Sequence, residues 1–429
     1  MIHTTLFLIG AILGVFVNWA VAVMAWNPRG ISPWCKAPKG FQRRWFDYVP
    51  IVGWLGLKRE KTPERGRFFW LRPMLVELGM AIFAVWFYDV QFALYEGLSE
   101  APGTSSPLWT PLMAFVHYHY AMLMVLVTLM LAASLIDIDE RTIPDALTVL
   151  GTLFALASSV VLAPLLIDTP LTSTGLLGQP PVGQGTLRLL SSCSNEMQEF
   201  LRMVLALFFW NGWCFAMMNR HWRPNHGWKL AWAIFWKRLA RTHSTRYYAL
   251  LAMVGSGLIL FLYRMAIFHS GNEAADAAWY YRWCNFQTAL FGMGGAGAML
   301  WAIRVAGFLG MKREALGFGD VTLMAMIGAF LGWRACVVLF LLSPFAALVV
   351  GILMVALRRG NEIPYGPFLC LAALVVIASE YSSWFELVTD WLCRVPVDLQ
   401  LAFALAMFGL MVVLLRLIQW VKKLAGIEA

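Results

Sequence analysis

The sequence predicts an all-α fold: a polytopic membrane helix bundle of about 9 to 11 transmembrane helices, N-terminus outside and C-terminus cytoplasmic. Three observations predict it. Apolar runs of membrane-spanning length recur along the chain, apolar residues make up 60% of its 429 positions against 13% charged, and the basic residues collect in a few loops between the runs. A water-soluble chain of this size does not carry that balance. The net charge of +9 therefore reports topology, membrane lipid is the expected surrounding, and no nucleic acid partner is expected. Seven cysteines occur without a C-x-x-C pair, so no metal site is expected either.

The first apolar run, Leu6 to Trp26, lacks the basic flank and small-residue cleavage site of a signal peptide and is expected to stay as a helix. Further runs long enough for a hydrocarbon core lie near 74–95, 112–136, 146–167, 200–218, 249–268, 286–309, 335–357, 367–385 and 400–420, with a shorter helix over 321–331. Basic residues fix their direction. The segment 27–73 holds eleven lysines and arginines, from Arg29 to Arg72, and belongs inside by the positive-inside rule. Alternation then puts the Lys- and Arg-free stretch 96–111 outside, and the basic loop 219–248, Lys312 with Arg313, Arg358 with Arg359, and Lys422 with Lys423 inside. Independent loops agree on one parity.

Two short stretches break the apolar pattern with carboxylates: Asp137-Ile138-Asp139-Glu140-Arg141-Thr142-Ile143-Pro144-Asp145 and Gly317-Phe318-Gly319-Asp320. Ionised groups at a bilayer are costly unless paired, hydrated or used, so acidic residues kept at helix ends in two places mark a candidate site. Both fall on the cytoplasmic side of the parity above. Pro144 suits the first turn of the following helix, where its missing N–H costs nothing. Gly317 and Gly319 allow close approach, and Asp320 is placed to cap or begin a helix.

These residues resemble a known family. The D-x-x-x-x-x-I-P-D of 137–145, the Gly317-x-Gly319-Asp320 motif with its apolar sequel, and Ile363-Pro364-Tyr365-Gly366-Pro367-Phe368 together look like the type IV prepilin peptidases, membrane aspartic proteases of the GxGD type. The resemblance implies Asp137 and Asp320 as the catalytic pair, with Gly317, Gly319, Pro144, Asp145, Pro364, Gly366 and Pro367 supporting the site. Asp139 would be a neighbour. In the N-terminal region, Gly10 to Asn18, Asp47 to Leu55 and Arg72-Pro73 through Glu77 resemble the family's first helix, cytoplasmic loop and entry to the second helix. The likeness thus covers 1–167 and 286–385.

Two departures stand out. Long members carry two cysteine pairs in the cytoplasmic loop as a zinc site, whereas this loop has only Cys35, so zinc is not expected. The same loop is tied in the family to methylation of the cleaved pilin from S-adenosylmethionine, which leaves that cofactor conditional on a second activity; proteolysis itself needs none. The other departure is length, since four spans separate the two aspartates where the family has two. The chain accordingly divides into 1–95, a peptidase membrane domain over 112–385 with a hairpin inserted near 170–285, and an additional C-terminal helix over 400–429. The loop tryptophans Trp222, Trp228, Trp232 and Trp236 read as interface anchors on the inner surface.

The implied substrates are type IV prepilins or pseudopilins, each a short basic leader before an apolar helix, cut at the cytoplasmic face of a bacterial inner membrane. Two neighbouring carboxylates can share the work of general acid-base hydrolysis, one activating water and the other donating a proton, with titration belonging to the pair. Asp139, Glu140 and Glu314 are either attractors of a basic leader or solvated interface charges. An ion-coupled transporter is the rival reading from another class, although no inverted repeat is evident. A catalytically idle scaffold of a secretion system is the third. Elsewhere the bland readings lead: His117 and His119 lie on different helix faces, Gly292 to Gly297 serve close helix packing, and Cys193, Cys284 and Cys393 fall on the outer side, where a disulfide is chemically allowed.

Overall fold

The computed structural model describes residues 1–26, 41–60, 68–99, 109–166, 195–218, 242–268, 272–311, 316–356 and 364–379, with isolated positions between these stretches and between 399 and 416. Among the described residues the fold is all helical. The helices are α1 (Ile2–Val23), α2 (Val52–Leu57), α3 (Leu71–Ser99), α4 (Trp109–Glu140), α5 (Asp145–Leu166), α6 (Asn195–Met217), α7 (His243–Ile267), α8 (Glu273–Met311), α9 (Phe318–Ala356) and α10 (Gly366–Ala378), with one 3-10 turn at Trp45–Tyr48. Apolar runs of this length take helical form because lipid offers backbone N–H and C=O groups no partner, and a helix satisfies them within itself. Seven of the helices are long and apolar enough to cross a membrane; the apolar segments Asp145–Val161 and Gly366–Ala378 are shorter. The protein is thus a polytopic helix bundle, and the span expected over 400–420 lies largely outside the described residues.

Helix α9 is the axis of the bundle, packing against α8, α10, α5 and α4. The sequence reads as two pieces here, 321–331 and 335–357, and the structure likewise has two helices in direct succession that meet at a kink at Gly332 (φ 80, ψ 164). That backbone conformation is closed to most L side chains and open to glycine. The small residues of α8 serve close packing, as the sequence suggests: a Cβ on Gly292 would lie 2.9 Å from Gly332 Cα, and one on Gly328 would lie 2.6 Å from Ala296 Cβ. Backbones approach in this way only where side chains are missing. Helices α6 and α7 form a hairpin joined by Trp210 Nε1 donating to Ala252 O (3.2 Å) and Asn211 Nδ2 to Ser256 Oγ (3.0 Å). Trp283 of α8 ties the hairpin back by donating to Glu199 Oε2 (3.0 Å).

At the other flank α1 lies along α3. A Cβ on Gly10 would meet Ala81 Cα at 2.8 Å, and one on Gly14 would meet Glu77 Cα at 2.6 Å. Glu77, 2% exposed, is the polar centre of this region. It accepts from Asn18 Nδ2 (2.9 Å), Ile51 N (2.5 Å) and Trp54 Nε1 (2.8 Å), so one carboxylate joins α1, α3 and the loop between them. The loop itself is held by two ion pairs, the first of them buried. Arg43 donates to both oxygens of Glu60 (2.8 and 3.1 Å) and reaches back to the carbonyls of Pro33 and Cys35. The Glu60 carboxylate thereby raises the Arg43 pKa above its usual value. Arg59 pairs with Asp47, which also caps the Trp45–Tyr48 turn by accepting from Arg44 N (2.7 Å).

Cys35, Cys214, Cys284, Cys336 and Cys370 are free thiols; Cys193 and Cys393 lie outside the described residues. His117 accepts or donates a bond with the Tyr88 hydroxyl (3.1 Å) and His119 is buried, in keeping with packing roles. Because Glu77 serves three buried or half-buried donors, Glu77→Ala is expected to destabilise the protein by about 3 kcal/mol, each orphaned donor costing ~1–3 kcal/mol. SDS-induced unfolding measures this; a loss below about 1 kcal/mol would mean that water replaces the carboxylate.

Candidate active site

Helix α4 ends in a reversal that fixes Asp137. Arg141 N donates to Asp137 O (2.8 Å) while Arg141 itself adopts the left-handed conformation (φ 57), which costs a non-glycine residue about 1 kcal/mol. The chain then passes through Ile143 into α5. Pro144 O accepts from Leu147 N (3.1 Å) and Thr148 N (3.4 Å). Pro144 is therefore the residue that caps α5 from just outside, one position before the first turn expected for it. Asp320 enters at the opposite kind of helix end, as the third residue of α9, and accepts from Gly317 N (3.2 Å). This bond closes the N-terminal turn, where a carboxylate complements the exposed amides and the helix dipole.

Ile143 is the piece that joins the three motifs. It is 8% exposed, and a Cβ on Gly319 would lie 3.0 Å from Ile143 Cβ, while one on Gly366 would lie 3.1 Å from Ile143 Cδ1. The same hypothetical Gly366 Cβ would lie 2.5 Å from Asp137 Oδ2. Gly366 thus lets the start of α10 press its Cα against the Asp137 carboxylate, a contact no other residue permits without displacement. Tyr365, just before it, bonds Ser343 of α9 (Oη to Oγ, 2.5 Å), and Pro367 occupies the first turn of α10, where no N–H is required.

Asp137 and Asp320 are both buried, at 5% and 8% exposure, and lie within electrostatic reach of each other. Among the described residues no group meets hydrogen-bond geometry at Asp137 Oδ2, although the Gly366 N–H lies beside the carboxylate. Two carboxylates kept buried at helix ends of a membrane bundle mark a functional site. Near Asp320 stands Arg304 of α8, whose charge also acts on that carboxylate and whose guanidinium lies 5.6 Å from the centre of the Phe318 ring. Arg304 was not singled out from the sequence, although a lone arginine two turns inside an apolar run is itself a signal.

The other acidic residues are differently engaged. Asp139 takes both its oxygens to Arg72 Nη1 (2.7 and 2.9 Å). Glu140 accepts from Trp26 N (2.6 Å), tying the end of α1 to the end of α4. Asp145 begins α5 with its side chain exposed, so the structure places it beside the site rather than in it. Glu314 lies outside the described residues. Pro364 is half-buried ahead of α10, and Ile363 lies outside the described residues. Among the described residues no group of three His, Cys, Asp or Glu side chains gathers as a metal site.

Fold and site together define a polytopic membrane helix bundle with two buried carboxylates within electrostatic reach of each other. Residues 228–352 match the model of the type IV leader peptidase family. That segment holds α7, α8 and most of α9 with Asp320; it begins inside the stretch that the sequence assigned to an inserted hairpin and stops short of Gly366. Over 96 residues the chain is 33% identical to the prepilin leader peptidase/N-methyltransferase of Aeromonas salmonicida (strain A449), covering 22% of this chain and 31% of the relative. The protein of the same name from Pseudomonas aeruginosa is also 33% identical over 96 residues, 33% of its length. The leader peptidase HopD of Escherichia coli is 36% identical over 110 residues, 24% of this chain and 61% of HopD. The chain thus spans about a third of the first two relatives. No solved structure matches it. The family scan and the relatives agree with the motifs: over these segments the chain is similar to the type IV prepilin peptidases.

The junction at Ile143 is directly testable. In the double variant Ile143→Cys and Gly319→Cys, oxidation is expected to join the two thiols, since the Cβ separation of 3.0 Å needs only a small widening to reach the ~3.5–4.5 Å of a disulfide. A linked peptide pair in mass spectrometry reads the outcome. Two thiols that both react with maleimide and never link would contradict the juxtaposition.

Proposed function

We propose that this protein is a membrane aspartic endopeptidase that removes a short basic leader from type IV prepilins or pseudopilins at the cytoplasmic face of a bacterial inner membrane. Asp137 and Asp320 are the catalytic pair. The observation that carries the reading is the convergence of three separated motifs, in which Gly366 abuts the Asp137 carboxylate and Ile143 bridges Gly366 and Gly319. Two buried carboxylates in reach of one substrate suit hydrolysis by general acid-base catalysis: one takes a proton from the attacking water, and the other donates one to the scissile carbonyl or the departing amine. The proton passes between them over the cycle, so neither residue has a fixed role. Asp137 Oδ2, bonded by no described side chain, is the acceptor that such a water requires.

Supporting residues act by position. Gly317 and Gly319 shape the entry to α9, Pro144 and Ile143 set the spacing from α4 to α5, and Tyr365, Gly366 and Pro367 bring α10 against the pair. The basic segments 27–73 and 219–248 and the pair Lys312-Arg313 adjoin the same ends of the helices as both aspartates, which supports a cytoplasmic site under the positive-inside rule. A transporter reading has less support, because Asp137 and Asp320 lie at helix ends rather than at the middle of broken spans. With Asp139 neutralised by Arg72, attraction of a basic leader falls to other groups. Methyl transfer, named for the two longer relatives, is a separate reaction drawing on S-adenosylmethionine, read by labelled methyl reaching the cleaved peptide. Proteolysis by the two aspartates requires neither that donor nor zinc.

Purified wild type is expected to cleave a prepilin, and Asp137→Asn or Asp320→Asn to reduce cleavage to a residual trace while leaving the fold intact; substantial cleavage by either pure variant would sink the assignment. Gly366→Ala is expected to keep the fold and lower kcat by a hundredfold or so, because displacing a catalytic group by about 1 Å has that order of effect. Unchanged kcat in Gly366→Ala would show that the close contact does not position Asp137.

A further inference from the structure

Beside the candidate pair, α3, α4 and α10 do not close on one another. They leave a groove of about 650 Å³, open toward the surroundings of the bundle. Its walls are mostly apolar, with Leu75 and Phe83 of α3, Met130 of α4 and Leu371 of α10, and its charged lining residue, Arg72, is paired with Asp139. The inner end of the groove meets the site: Ser134 lies one helical turn before Asp137, and Pro367 follows the glycine that touches the Asp137 carboxylate. We propose that this groove receives the apolar helix of the substrate and aligns the peptide bond ahead of that helix with Asp137 and Asp320. The assignment rests on the peptidase reading above and names how that same site takes its substrate.

Two features favour a peptide over a lipid tail as occupant. The first is Ser134. Buried helical hydroxyls elsewhere in this protein bond a carbonyl three or four residues back, as Thr128, Thr152, Ser158, Ser159 and Ser343 do. The Ser134 hydroxyl, nine-tenths buried, bonds no carbonyl among the described residues and is left with the Cys370 thiol, a weak partner. A hydroxyl so weakly engaged on the wall of an apolar groove matches a backbone carbonyl and has nothing to offer a hydrocarbon chain. The second is Gly79, which lines the groove and faces open space: a Cβ built there meets nothing within 4 Å. A missing side chain on the wall widens the groove toward the girth of a helix, and small residues are what close helix contact in lipid selects.

Gly79 also supplies the test, because a larger side chain enters the groove without striking the protein. The probe is a synthetic peptide with a lysine- and arginine-rich leader, a glycine at the junction and about 20 apolar residues, presented with the full-length protein in vesicles of phosphatidylethanolamine and phosphatidylglycerol. Gly79→Leu is expected to raise KM tenfold or more with little change in kcat, the signature of lost binding common to ground and transition states. Ile82→Phe, on the exposed face of the same helix and outside the groove, is expected to leave KM unchanged. A photo-reactive benzoylphenylalanine at Leu371 in the Asp320→Asn background is expected to capture the apolar part of the peptide, and it decides the matter should Gly79→Leu fail to fold. Unchanged KM in Gly79→Leu, or adducts with lipid alone, would overturn the groove assignment while wild-type cleavage upholds the peptidase. Absence of cleavage by the wild type would overturn both.

Discussion

The candidate site depends on a close approach between a carboxylate and a glycine. A Cβ on residue 366 would lie 2.5 Å from Asp137 Oδ2, and that approach depends on Gly366 having none. From it follow the seating of α10 on the end of α4, the burial of the carboxylate, and the inner end of the groove at Ser134 and Pro367. Ile143 extends the same constraint to α9, because its side chain fills the space between Gly366 and Gly319. Three segments distant in sequence are thus locked by two glycines and one isoleucine. Packing of this kind in a bundle of long helices transmits a shift of one element to the others, since close-packed interiors have no slack to absorb it.

The polar groups outside this junction do a different kind of work. Asp139 to Arg72 and Glu140 to Trp26 N fasten the end of α4 to α3 and α1. Glu77 fastens the loop between α1 and α3 to both helices. Each removes a carboxylate from the pool available for chemistry by giving it a fixed side-chain or backbone partner, which sets them apart from the buried Asp137 and Asp320. Arg43 with Glu60 and Arg59 with Asp47 give the loop an ionic frame of its own, so it folds against the bundle through charge pairs and hydrogen bonds.

Much of this was legible in the sequence, for physical reasons that also explain what was not. Spans of 20 or more apolar residues announce themselves because lipid demands helices of that length. The ends of α4 and α9 were marked by acidic residues, and the Gly-rich stretch of α8 by its small side chains. The break in α9 was visible as an interruption near Gly332, but not that one residue would carry it, since backbone angles leave no compositional trace. The resemblance already gives Asp145 a supporting place beside Asp137; the reversal at Arg141 supplies the physical reason, since Asp137 is buried and Asp145 exposed. Glu77 and Arg304 were readable as lone charges in apolar runs, yet their partners, Trp54 and Ile51 for the one and Asp320 for the other, are set by tertiary packing that spacing alone does not encode. The groove between α3, α4 and α10 has no local signature at all.

The central claim is that Asp137 and Asp320 work as one unit across the Ile143 junction. A double-mutant cycle on single-turnover cleavage tests it most directly. Residues that act as a unit lose their effect together, so the Asp137→Asn, Asp320→Asn double variant is predicted to be no slower than the slower single variant. Losses that multiply would mean that the two aspartates contribute independently, and would contradict the account.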